Sequence, residues 1–255
     1  MKKILMVLMM AAVLMGCGGD QETAKVANKD DLKGSVIGVQ LGTTSDLLAS
    51  DEATGAKEVR RFNKPSEAIK AMKQGQIDCV MVDAEVGKKF EKNVDGIKVL
   101  EDTFEPEAYA GCVKKGQTAF LNDLNGVLKE MEKNGEMQAI MDHHMAGKKA
   151  FAVPEEPKNP KGTLVMATNA EFEPYEYHGK DGICGIDIDI AKTLAHRLGY
   201  ALEVQDMAFD SVVPSVQTGK ADFGMAGLTV TEERKANVDF TDTYGGSKQV
   251  IIVNR

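Results

Sequence analysis

Arg234 closes the stretch Gly227-Leu228-Thr229-Val230-Thr231-Glu232-Glu233-Arg234, and its side chain suits the capture of an anion. A guanidinium grips a carboxylate through two parallel hydrogen bonds, which a lysine ammonium cannot do. Thr229 offers a hydroxyl and an N–H, and Gly227 lets a small molecule approach the main chain closely. Asp83 follows the apolar run IDCVMV and supplies a fixed anion at the C-terminal edge of a strand, where α/β sheets place their ligands. Gly42-Thr43-Thr44-Ser45 reads as a strand-to-helix turn, whose N–H groups and helix dipole favour an anion. A free α-amino acid presents a carboxylate, an ammonium and a side chain, so it needs a cation, an anion and a pocket. Glu171 and Glu173 flank the expected pocket, but nothing beside them completes a general-acid and nucleophile set.

The elements that must position these residues alternate strand and helix. Residues 36–40 are strand-like, 42–45 turn into a helix through about residue 50, and 58–62 are strand-like. Pro65 suits a helix's first turn, and Ala68, Ile69, Ala71 and Met72 form that helix's apolar face. A buried strand over 77–82, a helix from 84 to about 92 and a strand at 97–100 follow. This order implies a mainly parallel sheet covered on both faces. Residues 109–113 are strand-like, and Phe120, Leu124, Leu128 and Met131 mark a helix from Thr118, broken near Asn134-Gly135. Residues 146–162 hold three prolines and four lysines without an apolar period, which reads as a linker. From Thr163 the alternation resumes: strand 163–167, helix 187–198 ended by Gly199, strand 201–205, helix 210–218, strand 221–226, a short helix at about 231–236 and strand 249–253.

Composition narrows the setting. Residues 1–16 combine Lys2 and Lys3 with an apolar run, the pattern of a secretory signal and too short for a membrane span of about 20 residues. Leu14-Met15-Gly16-Cys17 has the form of a lipobox, which makes Cys17 the expected lipid anchor on a polar tether over 17–31. The formal net charge is −8, with no basic patch, so a nucleic-acid partner is not expected. Cys79 and Cys112 fall in apolar strand patterns and read as buried free thiols, with a Cys112–Cys184 disulfide as the alternative. His143 and His144 read as caps for helix carbonyls rather than metal ligands, and no metal or cofactor is expected.

Ala221–Tyr244, ADFGMAGLTVTEERKANVDFTDTY, resembles the signature of the polar-amino-acid-binding proteins that serve bacterial ABC importers. These are type II periplasmic solute-binding proteins. The residues matching Gly227, Thr229 and Arg234 there hold the ligand's α-carboxylate. ATNAEFEPY, residues 167–175, resembles the family's first strand and loop, with Phe172 matching an aromatic over the ligand and Phe209 the opposing one. VIGVQLGTTSD, from Val36, resembles the start of the second lobe. The resemblance implies that Thr44 meets the carboxylate, Gln40 faces the ligand side chain and Asp83 pairs with the ammonium. Asn169 stands where cationic and glutamine binders often carry an acid. Thr243 and Gly245 replace a common Pro and Tyr. The resemblance covers nearly all of 33–255, in exchanged order, which implies a circular permutation.

The fold expected is therefore α/β, two-lobed and circularly permuted, with the cleft between lobes. Residues 32–104 form the family's second lobe, and 105–255 its first, including helices over 118–145 and the linker. The lobes stay joined near 103–108, and the second hinge strand is open at 253–255 and 27–32. The expected function is extracytoplasmic capture of a polar L-amino acid and delivery to a separate permease and ATPase. The expected form is a monomer, lipid-anchored at the cell surface or in the periplasm. A sensory receptor subunit and a dehydratase on the same fold are the alternatives.

Overall fold

The computed structural model describes residues 26–148 and 151–255, so the expected signal, Cys17 and most of the tether lie outside the described residues. The first half comprises β1 (Val36–Gln40), α1 (Thr44–Ser50), β2 (Glu58–Phe62), α2 (Pro65–Lys73), β3 (Cys79–Asp83), α3 (Ala84–Asn93) and β4 (Ile97–Lys114). Then come α4 (Thr118–Lys133), α5 (Glu136–Ala146), β5 (Thr163–Thr168), β6 (Glu171–Phe172), β7 (Glu176–Gly179), β8 (Gly182–Cys184) and α6 (Ile186–Leu198). The chain continues through β9 (Ala201–Asp206), α7 (Phe209–Thr218), β10 (Phe223–Gly224), α8 (Glu232–Lys235) and β11 (Val238–Asn254). Apolar periodicity explains most of these: α2 buries Ala68, Ile69, Ala71 and Met72, and α4 buries Leu124, Val127, Leu128 and Met131.

Two half-sheets meet in one eight-stranded order, β2-β1-β3-β11-β4-β10-β5-β9. At one end β1 pairs in parallel with β2 and β3; at the other β5 pairs in parallel with β9 and β10. Between them β4 and β11 run antiparallel, from Ile97 opposite Asn254 to Lys114 opposite Val238. Each of these two strands belongs to both lobes. Residues 249–252 of β11 pair with β3, while Phe223 and Gly224 of β10 pair with Val113 and Cys112 of β4.

The arrangement corrects three expectations. The hinge is not cut: both crossing strands are continuous, and they hydrogen-bond to each other through the crossing. The boundary at 105–255 fails at its far end, because Ile251 and Val253 pack with Leu32, Ile37, Val39 and Met81 in the core of the other lobe. The separate strands expected at 97–100 and 109–113 are one. Pro106 is tolerated because it lies opposite Lys248, beside a register shift where the ladder is already irregular. Close contact of the two strands needs Gly246, since a Cβ there would sit 2.3 Å from the Glu107 carbonyl oxygen.

Smaller departures follow the same packing logic. The end of the expected tether is docked: Val26 and Leu32 are buried, and Asn28 caps a short 3-10 turn over Lys29–Leu32. His144 does not cap a helix end; its Nε2 lies 2.8 Å from Asp189 Oδ2 on α6. Cys79, Cys112 and Cys184 are all free, and burial pushes the first two thiols up to about 12. No regular element occupies the described residues between α5 and β5, as the composition of 146–162 implies.

Candidate ligand-binding site

Strand ends and their following turns from both halves of the sheet converge where the lobes face each other. From one lobe, β1 delivers Gln40, and Gly42 turns the chain into α1. Thr43 caps that helix, its hydroxyl accepting from the Asp46 N–H at 3.3 Å, so Thr44 and Ser45 sit buried in the first turn. From β3, Asp83 stands at the cap position of α3 but makes no capping hydrogen bond. Its side chain turns to the cleft, where Oδ1 accepts from the Tyr109 hydroxyl and Oδ2 from Gln249 Nε2 at 3.0 Å. Burial pushes this carboxyl up to about 6, against the pull of both hydrogen bonds and with the nearby Glu107 carboxylate adding to the rise.

The other lobe brings the loop after β10. Leu228 and Val230 exchange backbone hydrogen bonds with Ala110 and Ala108 of β4, which zips this loop to a crossing strand. Gly227 has φ +51°, and a Cβ there would meet the Phe172 ring at 2.7 Å, so only glycine lets the ring lie on the loop. The Gly227 N–H donates to Asp187 Oδ2 at 2.8 Å, and the Tyr244 hydroxyl donates to the same oxygen at 2.7 Å.

Arg234 lies in the short helix α8, which Thr231 caps. Its Nη1 donates to the Thr229 carbonyl at 2.8 Å and its Nη2 to the Gly42 carbonyl of the facing lobe at 3.0 Å. The guanidinium carbon lies 5.3 Å from the centre of the Phe209 ring. Desolvation draws its pKa below the ordinary guanidinium value, opposed first by Glu107; it remains a cation. Among the described residues no carboxylate forms an ion pair with it.

Of the nine expected residues, Thr44, Asp83, Thr229 and Arg234 join one hydrogen-bond network with Phe209 against Arg234, Gly227 lies against Phe172, and Gln40 and Asn169 form a separate pair. Gln40 donates to Asn169 across the lobes at 2.8 Å, and Asn169 donates to the Met207 carbonyl at 2.8 Å. Thr44 and Thr229 reach a common acceptor, Glu107 Oε2, at 2.8 and 2.7 Å. Phe172 packs on Tyr175 with ring centres 5.7 Å apart.

Sequence reasoning missed Glu107, Tyr109, Gln249 and Asp187. Glu107 and Tyr109 are two apart on β4 and so share a face. Gln249, wholly buried, heads the apolar run Val250, Ile251, Ile252 and Val253, which is itself a signal that a polar partner lies opposite.

Comparison with known proteins gives this arrangement its class. The profile of bacterial extracellular solute-binding proteins, family 3, matches residues 34–147 and 164–255. The chain belongs to that family of solute-binding proteins. It is similar to the arginine-binding extracellular protein ArtP of Bacillus subtilis (strain 168), 41% identical over 92 residues, covering 36% of each chain. A probable histidine-binding protein of Neisseria gonorrhoeae is 35% identical over 96 residues, 37% of this chain and 36% of that one. The L-cystine-binding protein TcyJ of Escherichia coli (strain K12) is 29% identical over 125 residues, 49% of this chain and 46% of that one. The chain thus spans a third to a half of the length of these relatives. Among solved structures, an ancestral arginine-binding protein bound to arginine is 46% identical, over 32% of this chain and 37% of that one, with a TM-score of 0.31.

Proposed function

We propose that this chain captures a free polar L-α-amino acid between its lobes and passes it to the membrane components of an ABC importer. Arg234 carries the reading. It is a partly buried guanidinium without a carboxylate partner among the described residues, set beside Thr229, over Phe209 and against the facing lobe. A desolvated, unpaired cation of that kind costs free energy unless an anion arrives. The ligand's carboxylate is that anion, held by Arg234, Thr229 and Thr44, with Asp83 taking the ammonium. Gln40 and Asn169 face the side chain with neutral amides. The similar proteins named for arginine, histidine and cystine support a polar side chain.

The same reading includes a lipid anchor at Cys17, a position on the outer side of the membrane and a circularly permuted order. Support for the permutation comes from the two separate blocks of the family match and from the linker between them. Val26 and Val253 also share one core cluster, so the two segments that the family's order would join lie in the same lobe. A thermal-shift screen of the proteinogenic amino acids tests the reading. A concentration-dependent rise in Tm with at least one polar amino acid is expected, by mass action; no shift with any of them at millimolar concentration contradicts it.

A further inference from the structure

Three donors converge on one carboxylate oxygen in the cleft. Glu107 Oε2 accepts from Thr44 Oγ1 at 2.8 Å, from Thr229 Oγ1 at 2.7 Å and from Gln249 Nε2 at 3.2 Å. Thr44 belongs to one lobe, Thr229 to the other, and Glu107 and Gln249 to the two crossing strands. Glu107 is also the first of the charges that oppose the desolvation of Arg234, although the two form no ion pair. A carboxylate bonded by hydroxyls from both lobes and placed in the field of a guanidinium fills the role assigned above to the ligand.

We propose that Glu107 is an internal stand-in for the ligand's α-carboxylate, and that binding exchanges one carboxylate for the other. The inference rests on the reading of Thr44, Thr229 and Arg234 as the carboxylate's holders. Buried hydroxyls without an acceptor are costly, and Glu107 supplies one to both. It also ties the lobes together before any ligand arrives, which favours the closed form in the ligand-free protein. The displaced side chain has a place to go. Glu107 also lines a surface cleft of about 680 Å³ where the Lys248 ammonium suits a carboxylate, the Lys88 beside it being paired with Glu85. The measured affinity is then the ligand's own attraction reduced by the work of evicting Glu107. A residue outside the ligand's contacts thereby sets the working concentration of the receptor.

Glu107→Ala and Glu107→Gln in the otherwise unchanged chain test this, with L-arginine, L-histidine and L-glutamine titrated by calorimetry. Both variants are expected to bind the preferred amino acid more tightly, at least tenfold for Glu107→Ala and less for Glu107→Gln, which keeps an acceptor. Ligand-free Glu107→Ala is also expected to show a larger radius of gyration by small-angle X-ray scattering. Glu107→Gln, which preserves the side chain's size, carries the test if the alanine variant does not fold. Affinity unchanged within threefold, or weakened, in the folded variants overturns the stand-in and makes Glu107 a bystander or a direct ligand contact. If no amino acid binds wild type or variant, the amino-acid reading fails by itself, and the radius of gyration alone decides about Glu107: an increase supports the internal clasp, no change overturns it.

Discussion

Gln40 and Asn169, 129 positions apart in sequence and on opposite lobes, share a buried hydrogen bond of 2.8 Å, donated by the Gln40 amide. A second donation, from Asn169 Nδ2 to the Met207 carbonyl, fixes which end of the Asn169 amide faces Gln40. This pair bridges the two lobes, and it presents no net charge. Replacing Asn169 by Asp puts a carboxylate there, and charge-assisted hydrogen bonds are about twice as strong as neutral ones. Asn169→Asp is therefore expected to raise affinity for arginine relative to glutamine at least tenfold in paired calorimetric titrations. An unchanged ranking would show that this pair does not face the ligand's side chain.

Gly227 couples the loop to the ring above it. Its φ of +51° and the 2.7 Å approach of the Phe172 ring leave no room for a methyl group. Gly227→Ala is expected to cost about 1–3 kcal/mol of stability through backbone strain and crowding. It is also expected to weaken ligand binding at least tenfold, because either the ring or the loop must move. Chemical denaturation and calorimetry on the same preparation check both effects; wild-type values for either would mean that ring and loop are not mutually constrained.

Behind that loop, Asp187 and Glu176 are fully buried against each other, and apart from one another Asp187 Oδ1 and both Glu176 oxygens have no hydrogen-bond partner among the described residues. Burial pushes Asp187 up to about 6, against hydrogen bonds from Gly227 and Tyr244, while desolvation and the Asp187 charge hold Glu176 well above the carboxylate range. Two adjacent buried carboxyls cannot both ionise cheaply. The sign follows from linkage: between about pH 4 and 6 the folded chain keeps a proton on Asp187 that the unfolded chain has released. This group's contribution to stability therefore falls as pH rises through that window, by on the order of 3 kcal/mol for a shift of about two units. Urea unfolding of wild type and Asp187→Asn at pH 4.5 and 6.5, on the order of that window, should show a smaller fall in the variant. Equal falls in both would place the proton elsewhere; comparing variants cancels the titration of the surface carboxylates.

The alternating elements were legible because each lobe is a run of short apolar strands and amphipathic helices, and Arg234, Thr229, Gly227 and Asp83 sit on turns that such runs define. The crossing strands were not. Apolar periodicity fades at Pro106 in β4 and at Gly245-Gly246 in β11, since the crossing segments are neither core nor surface, so each strand reads as shorter pieces. Glu107 and Gln249 were missed for a related reason. Their roles exist only when two strand positions 142 residues apart lie side by side, and the polar Gln249 beside its apolar run is the one local hint of that. The docking of Val26 likewise depends on a core that Ile251 and Val253 help to build.

The proposed permutation carries its own prediction. Because the crossing strands are both continuous, restoring the family's order leaves the hinge untouched: residue 255 is joined to residue 26 by a short Gly/Ser loop and the chain is opened within 151–160. That rearranged chain is expected to fold and to rank amino acids as the natural order does, with affinities within about threefold, or roughly 0.7 kcal/mol. Calorimetric titration checks it. A chain that folds but prefers another class of ligand would contradict the permutation.

The central claim is that Arg234 and Asp83 hold the two charged ends of an amino acid, and titration of Arg234→Lys and Asp83→Asn with the preferred amino acid tests it most directly. Arg234→Lys keeps the charge and loses the paired geometry, and Asp83→Asn keeps the shape and loses the charge. Removing one partner of a desolvated charge pair costs roughly 2–5 kcal/mol, so each variant is predicted to bind from about 30-fold to several-thousand-fold more weakly. Binding within threefold of wild type by both variants, with folding intact, would contradict the account.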